Sequence, residues 1–90
     1  MKNEPARTKP AAEVRYGNIR AAIWRNEGKK NGGAYFTVSI ERIYRDDEDE
    51  FRTSHSFGRD DLLLLAKVAD AAHSQIFELQ REAYSDNSEE

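Results

Sequence analysis

The strongest helix signal in the chain lies in the stretch GRDDLLLLAKVADAAHSQIFELQREA (residues 58–83). Gly58 or a neighbour caps its start, and the carboxylates of Asp60 and Asp61 favour the positive end of a helix dipole. Apolar residues then recur at alternating steps of three and four, as on one face of an α-helix. These residues are Leu62, Leu65, Ala69, Ala72, Ile76 and Leu79. We therefore predict one long C-terminal helix, ending near Ala83, with a continuous apolar stripe.

Three segments that precede this helix alternate apolar and polar residues, which is the pattern of half-buried strands. They cover residues 13–25, 34–45 and 51–57. Gly17 and Asn18 interrupt the first segment, so residues 13–16 form either a separate short strand or a bulge. Short loops make neighbouring strands antiparallel. We expect an α+β domain in which an antiparallel sheet of three to four strands is followed by the helix.

The length and composition of the chain indicate a single domain. Residues 1–12 and 85–90 contain almost no large apolar side chains, and we expect two disordered tails around one domain over residues 13–84. The absence of cysteine excludes disulfides and thiolate metal sites and fits a reducing compartment. No apolar run has the length of a signal peptide or of a membrane span. We expect a cytoplasmic protein that does not enter a membrane.

The net charge of −3 hides an asymmetry along the chain. Residues 6–45 hold nine basic and three acidic side chains, whereas residues 46–90 hold four basic and thirteen acidic ones. A local basic face can attract an anionic ligand even on a net-acidic protein. A solvated, charge-rich surface explains the same distribution, and charge alone favours that interpretation.

The sequence shows no motif that is typical of catalysis or metal binding. His55 and His73 stand alone, without a second ligand at metal spacing. The acidic run at residues 46–50 lacks the central glycine and the terminal glutamate spacing of a calcium loop. We expect a binding module that is not an enzyme and that uses no cofactor and no metal.

The predicted face of the sheet away from the helix mixes cations, aromatic rings and hydroxyl groups. This face and the loop beside it contain Arg15, Arg20, Trp24, Lys29, Lys30, Tyr35 and Arg52. Cations neutralise phosphates and aromatic rings stack on bases, so the mixture suits single-stranded nucleic acid. Alternatively, Trp24 and Tyr35 pack at a sheet edge or a dimer seam, and the arginines only add solubility.

The apolar stripe of the helix is longer than a small sheet can cover. A helix over residues 60–83 is roughly 35 Å long at 1.5 Å per residue. We therefore expect a homodimer in which the stripe of Leu62, Leu65, Ala69, Ala72, Ile76 and Leu79 also packs against a second copy. The alternative is that the whole stripe packs on its own sheet.

The stretch VSIERIYRDDEDEFRTSHSFGRDDLLLLAKVADAA (residues 38–72) resembles the positive-cofactor-four family of single-stranded-DNA-binding transcriptional coactivators and its short bacterial relatives. The matching pieces are residues 40–44, 46–50, 56–57 and 60–65. The resemblance implies a curved, four-stranded antiparallel sheet, one helix, and a homodimer formed through antiparallel helices and sheet edges. It also implies a groove for single strands, with an exposed aromatic at Tyr44 and basic positions at Arg20, Arg42 and Arg52.

Two functions remain as hypotheses. The first is a homodimeric protein that binds single-stranded DNA, or less favourably RNA, as an accessory factor in transcription or replication. The second is a protein–protein interaction module that binds no nucleic acid. The placement of the basic side chains separates them, because Arg15, Arg20, Lys29, Lys30 and Arg52 must converge on one face for the first.

Overall fold

The computed structural model describes residues 9–28 and 33–88, with side chains up to residue 83 in the last helix. Four strands form one sheet, β1 (Ala12–Tyr16), β2 (Ile19–Glu27), β3 (Ala34–Arg45) and β4 (Phe51–Ser54). They are antiparallel and lie in the sheet in chain order. A 3-10 turn (Arg59–Asp61) then leads into the helix α1 (Leu62–Ser88). The α+β architecture expected from the sequence is thus confirmed, with four strands.

The β1–β2 connection is a two-residue hairpin made by Gly17 and Asn18, so residues 12–16 are a separate strand and not a bulge. Gly17 has a φ of +60°, as the first central residue of a type II′ turn requires. Arg15 fixes the turn, because its Nε donates a hydrogen bond of 2.9 Å to the carbonyl of Gly17. The turn lies against α1, where a Cβ on Gly17 would come within 2.9 Å of Leu64.

Strand β2 supplies the centre of the core. Ile19, Ala21 and Ile23 are completely buried on the side of the sheet that α1 covers. The helix contributes Val68, which is completely buried, and Ala72, which is 2% exposed. Half-buried residues from β1, β3 and α1 surround these five. The helix packs chiefly on β1 and β2 and less on β3, so the opposite side of the sheet stays uncovered by α1.

The β3–β4 turn closes around the carboxylate of Asp46. Its Oδ1 accepts the backbone N–H groups of Glu48 at 2.9 Å and Glu50 at 3.0 Å. Its Oδ2 accepts Arg52 Nε at 2.6 Å, and this hydrogen bond, followed by those from the backbone, holds the pKa of Asp46 below its ordinary value. Asp49 completes the turn with a φ of +65°. The acidic run at residues 46–50 is therefore an ordered turn that is capped by the side chain of Asp46.

This turn sets a β4 register that corrects the sequence-based assignment of faces. Arg45 pairs with Phe51 and Tyr44 with Arg52. Because paired residues share a side of the sheet, Arg52 lies on the same side as Tyr44 and the helix, and Phe51 lies on the opposite side. The expectation that Arg52 faces away from the helix is wrong, because the register of β4 turns Phe51, and not Arg52, to that side.

Strand β4 and the helix also end at other places than the sequence pattern indicated. The strand stops at Ser54 instead of residue 57, because Ser56 turns its carbonyl to Arg42 Nε at 2.9 Å. Gly58 begins the helical segment, and its N–H donates to Asp61 Oδ2 at 2.7 Å. The helix continues past Ala83 through residues 84–88, although composition placed a tail from residue 85. Among the described residues, no helix is long and apolar enough to cross a membrane.

Candidate functional site

The side of the sheet opposite α1, here called the outer face, is the candidate site. It carries the odd-numbered residues of β1 and β3, the even-numbered residues of β2, and Phe51 and Thr53 of β4. Strand alternation places these side chains on one surface while their neighbours in sequence point toward the helix. The outer face is thus a continuous four-stranded surface.

A polar group of side chains lies at one end of the outer face. The indole N–H of Trp24 donates to Ser39 Oγ at 3.2 Å, and Asn26 Nδ2 donates to Thr37 Oγ1 at 3.2 Å. Tyr35 pairs with Asn26 and keeps 53% of its surface exposed. The bond to Ser39 fixes the edge of the indole ring, so the Trp24 side chain is held in place on the sheet.

An open cleft of about 300 Å³ lies at the other end of the outer face. Its walls contain Arg15, Arg20, Ile43, Phe51, Arg52 and Thr53. Arg15 and Arg20 are directly opposite each other on β1 and β2, so two guanidinium groups share one wall. The cleft therefore combines cations, an aliphatic side chain, an aromatic ring and a hydroxyl group.

The charge of Arg20 is partly compensated by Glu41, its cross-strand neighbour on β3. The two side chains form an ion pair, and this hydrogen bond to Glu41 raises the pKa of the Arg20 guanidinium above its ordinary value. Arg15 is different, because it makes its hydrogen bond to the carbonyl of Gly17 and has no carboxylate within ion-pair distance among the described residues. Arg15 is therefore the wall cation best placed to gain a new anionic partner.

Phe51 is held at the cleft by a short chain of contacts. The guanidinium carbon of Arg45 lies 4.6 Å from the centre of the Phe51 ring. Arg45 Nη1 in turn donates to Asp49 Oδ1 at 2.7 Å. Phe51 nevertheless remains 69% exposed. A large aromatic side chain that is both exposed and braced by a cation is available to contact a ligand.

The structure distributes the predicted binding residues over both sides of the sheet. Arg15, Arg20, Trp24 and Tyr35 lie on the outer face as predicted. Arg42, Tyr44 and Arg52 belong by register to the helix side. Lys29 and Lys30 lie outside the described residues.

The three residues on the helix side have structural partners. Arg42 donates to the carbonyl of Ser56, lies 3.7 Å from Asp61 Oδ2, and places its guanidinium 5.2 Å from the centre of the Tyr44 ring. Arg52 contributes to the cleft wall while its Nε is bound to Asp46. The basic residues thus converge in part, with Arg15, Arg20 and Arg52 around one cleft.

Sequence reasoning missed Ile43, Phe51 and Thr53 as members of the cleft. The prediction that Arg52 faces away from the helix turns its neighbours Phe51 and Thr53 to the helix side by strand alternation. The signal that could have placed them is Asp46, since an aspartate that opens a short turn commonly caps the following backbone N–H groups. A turn closed from Asp46 to Glu50 fixes Phe51 opposite Arg45.

The predicted helix stripe divides between the core and the solvent. Ala72 is buried, and Leu65, Ile76 and Leu79 are half-buried against the chain's own sheet. Leu62 and Ala69 remain exposed. Phe77 is also exposed, at 57%, and its ring meets that of His73 edge-on with centroids 4.9 Å apart.

No family model, curated protein or solved structure matches this chain. Within residues 9–28 and 33–83, no three side chains of the metal-ligating types come together as a metal site. The chemistry of the outer face is therefore the guide to function.

Proposed function

We propose that the protein is a non-enzymatic, homodimeric module that binds single-stranded nucleic acid, DNA in preference to RNA, on its outer face. The observation that carries this proposal is the cleft in which Arg15 and Arg20 stand beside the exposed ring of Phe51. Guanidinium groups bind phosphate oxygens and an exposed ring stacks on a base. The role as an accessory factor in transcription or replication rests on the resemblance to the coactivator family.

The distance between the cleft and the Trp24 end of the outer face favours an extended ligand over a small one. Arg20 and Trp24 are four positions apart on β2, which is about 13 Å at about 3.3 Å per residue. Tyr35 lies farther along the same face. A strand of several nucleotides can contact the cleft and the Trp24 end together, whereas a paired duplex keeps its bases stacked inside and offers no free face to these rings.

The acidic side chains near the site moderate the expected affinity. Glu41, Asp46 and Asp49 form ion pairs with Arg20, Arg52 and Arg45. A phosphate group must therefore compete with a carboxylate at each of these arginines, and Arg15 is the exception. We expect binding that is easily weakened by salt and that depends strongly on Arg15.

The homodimer in this proposal is supported by the part of the helix that the sheet leaves uncovered. Leu62, Ala69 and Phe77 are exposed on α1, and positions 62, 66, 69, 73 and 77 follow one another at steps of three and four. A second copy packed there would bury these side chains and add core to a chain that has little of its own.

A fluorescence titration tests the nucleic-acid proposal. The chain has one tryptophan, so quenching of Trp24 by a thymidine oligonucleotide of about 20 bases reports on the outer face alone. We expect binding at low salt and a steep loss at higher salt. Arg15→Ala should weaken binding and reduce the slope of log affinity against log salt by about one.

The matched control is Arg59→Ala, which removes the same charge from an exposed position at the start of the helical segment. It should leave both affinity and slope unchanged. If the wild-type protein does not bind the oligonucleotide at low salt, the proposal is wrong and the alternative, a surface for a polypeptide partner, takes its place.

A further inference from the structure

We propose that the outer-face cleft is a subsite for one unpaired nucleobase, with the adjoining phosphate held by Arg15. This inference rests on the proposed binding of single-stranded nucleic acid and adds where a base is held and by which residues. The cleft has a volume of about 300 Å³ and is open to solvent on the uncovered side of the sheet. A base entering it does not have to displace the helix.

The stacking partner in this subsite is the Phe51 ring. Arg45 lies over the ring at 4.6 Å, which leaves the other face of the ring for a base. Arg45 is itself tied to Asp49 at 2.7 Å, so the ring is backed by a guanidinium group that is anchored in the turn. The acidic turn, which by charge alone would repel a nucleic acid, therefore has a positioning role through Arg45.

The other walls supply what a base and its phosphate require. Ile43 gives an aliphatic surface in the cleft wall. Thr53, its cross-strand partner, gives a hydroxyl group that can accept or donate a hydrogen bond at the base edge. Arg15 and Arg20 stand side by side at the β1–β2 wall. Of the two, Arg15 has no carboxylate partner among the described residues and is the one assigned to the phosphate.

Binding of a base in the cleft can be distinguished from binding of the sugar–phosphate backbone alone. A base in the cleft contributes stacking on Phe51, which is lost when the base is missing from the ligand. The phosphate contact with Arg15 is unaffected by such a loss. Affinity for an oligonucleotide with bases and for a backbone without bases should therefore respond differently to changes at Phe51 and at Arg15.

The test measures the affinity of the full chain for a 20-base thymidine oligonucleotide and for a sugar–phosphate chain of equal length without bases. Phe51→Ala should weaken binding of the thymidine probe by about fivefold or more and leave the baseless probe unchanged. Phe51→Tyr, which keeps the ring, should restore the wild-type ratio. Arg15→Ala should weaken both probes by the same factor.

The control Leu63→Ala removes an apolar side chain that is 86% exposed on α1, and neither affinity should change. Since Phe51 is 69% exposed, its removal does not threaten the fold, and thermal unfolding of each variant verifies this. An equal affinity ratio in wild type and Phe51→Ala overturns the base subsite while the nucleic-acid proposal stands. Wild-type protein that binds neither probe overturns the proposed function itself.

Discussion

Arg20 on β2 and Glu41 on β3 are direct cross-strand neighbours on the outer face and form an ion pair there. The Arg20 side chain is 33% exposed and the Glu41 side chain is 26% exposed. Such a half-exposed pair contributes little to stability, about 0–1 kcal/mol, because water and salt screen it. For the proposed binding of nucleic acid the pair matters more, because it would withhold the Arg20 guanidinium group from phosphate.

Glu41→Gln should therefore increase the affinity for single-stranded oligonucleotides. The substitution releases Arg20 for a phosphate contact, so the slope of log affinity against log salt should become steeper by about one. Titrations of Trp24 fluorescence at several salt concentrations measure both quantities. Glu27→Gln is the matched control, because it removes an equal charge from β2 on the helix side of the sheet. If both variants gain affinity equally, net charge and not the release of Arg20 is responsible.

Gly17→Ala should destabilise the fold. The φ of +60° costs a residue with a side chain about 1–2 kcal/mol, and the new Cβ would lie 2.9 Å from Leu64. Urea unfolding monitored by circular dichroism gives the change in the free energy of unfolding. Gly33→Ala serves as control, since its Cβ would meet nothing within 4 Å. Equal stabilities of the two variants would contradict the close packing of the β1–β2 turn on α1.

Stability should fall in acid because of Asp46. Arg52 and the backbone of the turn hold the folded-state pKa of Asp46 below the ordinary value of 3.8. The carboxylate thus stabilises the folded state above that value, and the contribution is lost as the pH falls through the lower, folded-state pKa. Asp46→Asn should reduce the acid dependence measured by urea unfolding between about pH 6 and pH 2. Asp47→Asn removes a charge from the same turn without touching these bonds, and a similar flattening there would argue against Asp46.

Ala69→Glu should shift the protein from dimer to monomer. Ala69 is exposed in the middle of the uncovered helix face, where a charge would be buried by a second copy. Light scattering coupled to size exclusion gives the mass in solution. Ser74→Glu adds the same charge on another exposed side of α1 and should leave the mass unchanged. A wild-type mass of one chain at all concentrations would refute the homodimer.

The helix and the strands of this fold could be predicted from the sequence because apolar residues recur in each with the period of that structure. The helix stripe and the alternation in β2 and β3 are local patterns, and the structure confirms the helix and both strands. The side on which Arg52 lies could not be predicted in this way. It depends on how many residues the β3–β4 turn consumes, and a shift of one residue turns every side chain of the short strand β4 to the other side.

The candidate site was predicted in part for the same reason. Arg15, Arg20, Trp24 and Tyr35 lie in strands whose side is fixed by the buried residues of β2 and by the β2–β3 pairing. Phe51 looked like a core residue because apolar character is usually a sign of burial. Its exposure follows from the register that Asp46 imposes, and the guanidinium group of Arg45 packs against its ring there.

The side chains of strand β2 alternate between the core and the outer face along its length. Its buried residues Ile19, Ala21 and Ile23 are the core, while Arg20, Ala22 and Trp24 between them belong to the outer face. Mutations of Arg20, Ala22 and Trp24 change the outer face and not the core, so they can accumulate without loss of the fold. Such a strand allows the chemistry of the outer face to change in descendants of this chain while they inherit the same architecture.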